Sequence, residues 1–231
     1  ICGECGKRDT ESHHWDEGRI VTEATEETEG SLVRTCTVCG GEKTEILPCL
    51  TLETVVIRTG EELKEFSAAV NRGDYDENVR VYLAADIDMT GEHWEPIGKY
   101  SADENHIAFK GVFNGNGHRV TLDTVDSSAV GYGFIAVNEG CVKNLVVAGC
   151  VSGDRYVGGI VGYNYGEISN CMNYAAVTGK SFAVGGIAGY LKVDSKVKRC
   201  VNYGSVNGSS AIYTGGIVGQ SLAGVKIVEC C

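Results

Sequence analysis

Short apolar clusters separated by Gly and Asn recur along the last hundred residues of the chain. Gly158-Gly159-Ile160-Val161-Gly162-Tyr163 returns as Gly185-Gly186-Ile187-Ala188-Gly189-Tyr190 and again as Gly215-Gly216-Ile217-Val218-Gly219-Gln220. Gly131-Tyr132-Gly133-Phe134-Ile135-Ala136 is a degenerate earlier copy. Downstream, Ile168-x-x-Cys171, Val197-x-x-Cys200 and Ile227-x-x-Cys230 align, with Val142-x-x-Leu145 in the first copy. Asn173-Tyr174-x-x-Val177-x-Gly179 matches Asn202-Tyr203-x-x-Val206-x-Gly208. The period is 26 to 30 residues, and the insertions fall between apolar clusters rather than inside them. Apolar runs this short, broken by Gly pairs, make strands and not helices. A repeat that takes up slack in surface loops is a solenoid, so the pattern predicts short strands stacked coil upon coil.

Stacking in register turns each aligned column into a ladder about 4.8 Å per rung. Ile160, Ile187 and Ile217 are expected to stack as an aliphatic column. Leu145, Cys171, Cys200 and Cys230 form another, with Cys as a small buried hydrophobe. Asn173 over Asn202 makes an amide ladder. The Gly pairs fit either corners at positive φ or close backbone approach.

Ahead of the repeats, Thr59-Gly60-Glu61-Glu62 reads as a capping box, followed by Leu63, Phe66 and Val70 at helical spacing and a stop at Gly73. One amphipathic helix before a β-rich chain suits the covering of an open solenoid end. A strand over 79–84 follows, then a polar loop, and Asn114-Gly115-Asn116-Gly117 as a tight turn before a strand at 119–122.

Composition sharpens the class. With 32 Gly, 2 Pro and 43% hydrophobic residues, the chain favours many short strands and turns. The net charge of −11 divides as −6 over residues 1–50, −8 over 51–130 and +3 over 131–231. That distribution speaks against a nucleic-acid footprint. No stretch approaches the roughly 20 apolar residues of a membrane span. The start inside a motif, at Ile1 and Cys2, is expected of an excised fragment.

The cysteines divide into two groups. Cys2-x-x-Cys5 and Cys36-x-x-Cys39 are two knuckles whose four thiolates can close a tetrahedral structural Zn²⁺ site. The alternatives are two disulfides or one redox-active C-x-x-C disulfide, and His13 or His14 could replace a ligand. In the repeats, Cys171, Cys200 and Cys230 are expected as reduced core thiols, ahead of disulfides between neighbours and of a metal, and sequence does not decide the oxidation state of these three or of Cys141, Cys150 and Cys231.

Residues 1–50 resemble the zinc-ribbon-like repeats of large bacterial surface proteins, through His14-Trp15-Asp16, the Thr/Glu-rich stretch at 21–30, Thr35-Cys36-Thr37-Val38-Cys39-Gly40 and Lys43-Thr44-Glu45. The Gly-Gly-Ile-hydrophobic-Gly repeats resemble the GLUG motif of bacterial adhesin-like surface proteins, and together with the segment before them the similarity spans about 55–231. The Cys column departs from the more usual residues of that motif. GLUG repeats also accompany certain metallopeptidases, whose His-Glu-x-x-His is absent here. The resemblance implies a secreted or cell-surface location and a structural or adhesive role.

The expected architecture is thus all-β: a right-handed parallel β-helix with an N-terminal capping helix, behind a zinc-ribbon-like module. Its expected parts are residues 1–50 (module), 51–130 (helix and first coils) and 131–231 (GLUG-type repeats). No catalytic residue is assigned. Asp86, Asp88, Glu95, Asp103, Asp123 and Asp126 are the acids an enzyme would draw on, and Asp86 with Asp88 would serve either Ca²⁺ or turn capping. A carbohydrate-binding or carbohydrate-cleaving solenoid is the alternative to a stalk, with Tyr174 and Tyr203 as an aromatic stripe for ligand or for ladder packing. A host glycan or protein is the expected partner, and the last coil, with its open edge, is expected to favour end-to-end self-association.

Overall fold

A computed structural model describes residues 14–23, 30–47, 52–125 and 128–231. The chain divides into two compact units, Ile1–Leu52 and Glu53–Cys231.

In the first unit, Arg19–Thr22, Gly30–Thr35 and Glu42–Leu47 make an antiparallel sheet with Gly30–Thr35 in the centre. Leu32 and Val33 stand opposite Glu45 and Thr44 in the hairpin register. Its tip is the knuckle Cys36-Thr37-Val38-Cys39, closed by a 2.9 Å bond from Gly40 N–H to the Cys36 carbonyl. Gly40 sits at φ 70°, which Gly adopts without steric cost.

The second unit is the solenoid. Its helix α1 (Gly60–Arg72) begins and ends where the pattern predicts. The Thr59 hydroxyl accepts from Glu62 N–H, the Glu62 carboxylate accepts from Thr59 N–H, and Gly73 closes the C-terminus at φ 84°. Leu63, Phe66 and Val70 are all buried on one side. Phe66 packs against Phe109 and Phe113 at 6.2 and 6.3 Å, joining α1 to the core of the first coils.

Among the described residues, the strands of this unit pair in parallel, and the coils pass through four faces. The first face stacks Glu53–Ile57, Val79–Leu83, Val112–Asn114, Cys141–Lys143, Glu167–Ser169, Lys196–Lys198 and Lys226–Val228. The second holds Arg119–Val125, the long strand Val146–Gly153, and beneath it strand pairs from two further coils. The third runs through Val130–Tyr132, Arg155–Gly158, Ala183–Gly185 and Tyr213–Gly215. The fourth runs through Ile135–Asn138, Val161–Asn164, Ala188–Leu191 and Val218–Ser221. The first two faces carry their ladders across residue 130 without a break, since Val142 pairs with Phe113 and Val147 with Val120.

The expected columns are present. Phe134, Ile160 and Ile187 are fully buried and stacked, with Ile217 partly buried beneath them. Leu145, Cys171 and Cys200 are likewise fully buried, and Cys230 continues their column. The pairs Gly158-Gly159 and Gly185-Gly186 serve close approach and not positive φ. A Cβ on Gly159 would lie 2.5 Å from the Asn173 side chain and from the Gly186 carbonyl. Positive φ falls instead to the corner between first and second faces, at Asn144, Asn170, Arg199 and Glu229, with φ of 50–56°.

Candidate binding surface of the solenoid

The corners are built from a short local motif. Asn173 Nδ2 donates to the Ala175 carbonyl at 3.0 Å and to Asn202 Oδ1 in the next coil at 2.8 Å. Asn202 repeats the inner bond to Gly204. This is the expected amide ladder. A second one stands at the end of the fourth face, where Asn138 donates to Asn164 Oδ1 at 2.7 Å and each amide also reaches the carbonyl two residues on. Sequence reasoning missed it, although Asn138-Glu139-Gly140 and Asn164-Tyr165-Gly166 share the Asn-x-Gly form of Asn202-Tyr203-Gly204.

Tyr174 and Tyr203 follow the first ladder and point outward, 44% and 63% exposed. Their ring centroids are 4.8 Å apart with planes 18° from parallel. The Arg119 guanidinium sits 5.5 Å from the Tyr174 ring centre. Tyr174 therefore spends its π faces on Tyr203 and Arg119, while Tyr203 stacks on Tyr174 by one face and is the more exposed ring.

A larger aromatic group covers the outer side of the fourth face. Residues 99–107, expected only as a polar loop, form a hairpin strap bridged by Lys99 and Ile107 at 2.7 and 3.0 Å. The strap lays Tyr100 and His106 on Tyr163, with ring centroids 5.3 and 5.4 Å apart, and Tyr163 stacks on Tyr190 of the next coil at 4.9 Å. Lys192 holds the strap by an ion pair with Glu104 at 3.0 Å, its ammonium 5.5 Å from the Tyr165 ring centre. Burial pushes the Tyr163 hydroxyl well above the usual tyrosine range, and the Glu104 bond holds Lys192 firmly protonated. His106 Nδ1 accepts the Ser101 N–H at 2.9 Å, which puts the ring proton on a buried Nε2 that has no hydrogen-bond partner. Burial lowers the His106 pKa below the usual imidazole value.

The candidate acids are occupied as turn caps or solvated. Asp86 Oδ1 accepts Arg119 N–H at 3.0 Å and lies 3.1 Å from His118 Nδ1, and these contacts lower its pKa. Asp88 accepts both the N–H and the hydroxyl of Thr90. Asp103 caps the strap's turn through Ser101 and Asn105, which bring its pKa down to about 2. Glu95 pairs with Lys99 at 3.1 Å, and Asp123 accepts from the Cys150 thiol. Asp126 lies outside the described residues. Among the described residues, no three His, Cys, Asp or Glu side chains gather as a metal-holding group.

In the Cys column, each thiol turns onto the carbonyl two residues before it, Cys171 on Ser169 at 3.2 Å and Cys200 on Lys198 at 3.3 Å. Burial, then the neighbouring Cys200 sulfur, pushes the Cys171 thiol well up. In the first unit, Cys36 is buried and Gly41 N–H points at the Cys39 sulfur at 3.4 Å. That donor suits a thiolate. Cys2, Cys5 and His13 lie outside the described residues. Thr37 donates to the His14 carbonyl, and the Lys43 ammonium sits 4.8 Å over Trp15.

Neither α1 nor any other described helix is long and apolar enough to cross a membrane. The chain is similar to the "Putative Gly-rich membrane protein" of Evansella cellulosilytica, 33% identical over 139 residues that make up 51% of this chain and 16% of that protein. It is also similar to halomucin of Haloquadratum walsbyi, 32% identical over 108 residues, 45% of this chain and 1% of that one. The chain thus spans less than a fifth of either relative's length. No solved structure matches it significantly. Residues 153–178 match the GLUG motif, and that segment makes one circuit of all four faces.

Proposed function

We propose that the chain is a non-catalytic structural segment of a bacterial cell-surface protein, a stiff spacer with adhesive capacity on its sides. The observation that carries this reading is the unbroken run of parallel ladders, which commits the strands' backbone groups and the corner amides to coil stacking. The GLUG match and the two relatives, one named as a membrane protein, support the surface location. The acids serve as caps and ion pairs, an arrangement that supports a spacer over a hydrolase. An antibody raised against residues 53–231 is expected to label intact cells of the source organism. Labelling only after lysis would sink the reading, as would cleavage of any polysaccharide by the purified chain.

In the N-terminal unit, Cys2, Cys5, Cys36 and Cys39 are proposed to hold a structural Zn²⁺, which would supply folding energy and no chemistry. The knuckle at the hairpin tip, with a backbone N–H aimed at sulfur, supports this. Metal analysis should return about one zinc per chain, lost in Cys36→Ser. Metal-free protein with oxidised thiols would overturn the assignment.

A further inference from the structure

The outer side of the first face carries an unusual row of charges. Register places Cys141, Glu167, Lys196 and Lys226 in one outward column, and Lys143, Ser169, Lys198 and Val228 in the next. Lys196 thus stands one rung, about 5 Å, above Lys226, a like-charge pair that destabilises a sheet. Glu167 meets Lys198 at 3.3 Å. Lys143, Lys196 and Lys226 have no carboxylate within ion-pair distance among the described residues. Ser169 is only 5% exposed between the Lys143 and Lys198 rungs, as expected if their stems lie along the sheet and their ammoniums reach water. At the corner, Arg199 is tied to Asn170 Oδ1 at 2.7 Å and faces Glu229 at 4.0 Å, which closes the strip on that side.

A chain with a net charge of −11 has carboxylates to spare, yet this strip keeps four ammoniums against one carboxylate. We propose that the strip binds a linear polyanionic glycan, carboxylated on successive sugars and laid along the solenoid axis. The proposal deepens the adhesive part of the surface reading and rests on it. Ammonium groups act as point charges and not as forks, which suits a flexible row of carboxylates. No aromatic ring stands among the four lysines to stack a base, and Glu167 lies inside the strip, so single-stranded nucleic acid is the poorer fit.

The test is calorimetric titration of the whole chain with a size-defined oligogalacturonate, against a neutral β-linked glucan oligomer and a single-stranded DNA of similar length. Binding is expected for the polyuronate alone, weakening with salt. It should fall at least tenfold in Lys196→Gln/Lys226→Gln and stay unchanged in Lys180→Gln, which lies off the strip. The double variant should melt no lower than the parent, because a like-charge pair is removed. Unchanged affinity in the double variant, equal binding of the neutral glucan, tighter binding of DNA, or no polyuronate binding would each overturn the proposal. Cell labelling is independent: unlabelled cells with intact binding would remove the surface location, and labelled cells without binding would remove only the glycan.

Discussion

Asn173 shows how much of this fold depends on single polar side chains. It is fully buried, its oxygen accepts Ala175 N–H, and its nitrogen serves both Ala175 and Asn202. Truncation to Ala would strand the buried Ala175 N–H and remove the bonds to the Ala175 carbonyl and to Asn202 Oδ1, which keeps Gly204 N–H; a buried unmet group costs about 1–3 kcal/mol. Asn173→Ala is therefore expected to lower unfolding stability by about 3 kcal/mol in urea titration, whereas Tyr174→Ala, which loses one exposed stack, should lose about 1 kcal/mol. Equal losses would mean that the amide ladder is not the stronger element. A similar sensitivity attaches to Gly166, where a Cβ would lie 2.0 Å from the Gly140 carbonyl of the coil above. Gly166→Ala should displace the two coils, seen as lost protection of neighbouring amides in hydrogen exchange. The first ladder was legible because Asn173 and Asn202 sit in aligned repeat copies. The Asn138–Asn164 ladder was legible too, but only through the Asn-x-Gly triplet, which alignment on the Gly-Gly-Ile cluster passes over.

Among the elements, α1 and the strap differ in how far sequence reaches. The helix is local: its capping box, apolar stripe and Gly stop all lie within fifteen residues, so pattern and structure coincide. The strap has no periodicity, and its partners Tyr163, Tyr165 and Lys192 come from two later coils. Its pH response follows from His106. The neutral ring accepts from Ser101 and is faced by Lys192, Glu104, Asp103 and Glu139, with the Tyr100, Tyr163 and Tyr165 rings around it. Burial dominates and lowers its pKa in the folded state. A base with a depressed folded pKa stabilises fully above its unfolded value of about 6.5, and that contribution is lost as pH falls through the folded value. Asp103 stays ionised down to about pH 2, so the turn itself persists through this window. As the pH drops below about 6.5, the denaturation midpoint should fall more steeply in the parent than in His106→Gln. Parallel pH profiles for the two would show that His106 does not govern the strap.

At the scale of the molecule, coil-on-coil stacking makes stability a sum over neighbours, and the Cys column provides a reporter in each of the last three coils. The parallel solenoid was legible because its period repeats in plain view. The four-sided path and the aromatic cover were not, since corner angles and cross-coil packing leave no mark at fixed spacing. Cys171 and Cys200 are fully buried in adjacent coils, Cys230 is partly buried and Cys231 is exposed. Burial also holds the Cys171 proton, so its thiolate is scarce even when the pH favours alkylation. Reaction at each site then requires its coil to open. Where the ladders join each coil to its neighbours, opening starts at an end and costs one interface at a time. Alkylation with iodoacetamide under native conditions, followed by peptide mass analysis, should modify Cys231 first, then Cys230, then Cys200, and Cys171 last. Dilute urea should move the sites into reach in the same order. Simultaneous modification of Cys171 and Cys230 would instead mean that the coils open together, and that the long ladders of the first and second faces bind the solenoid into one cooperative body.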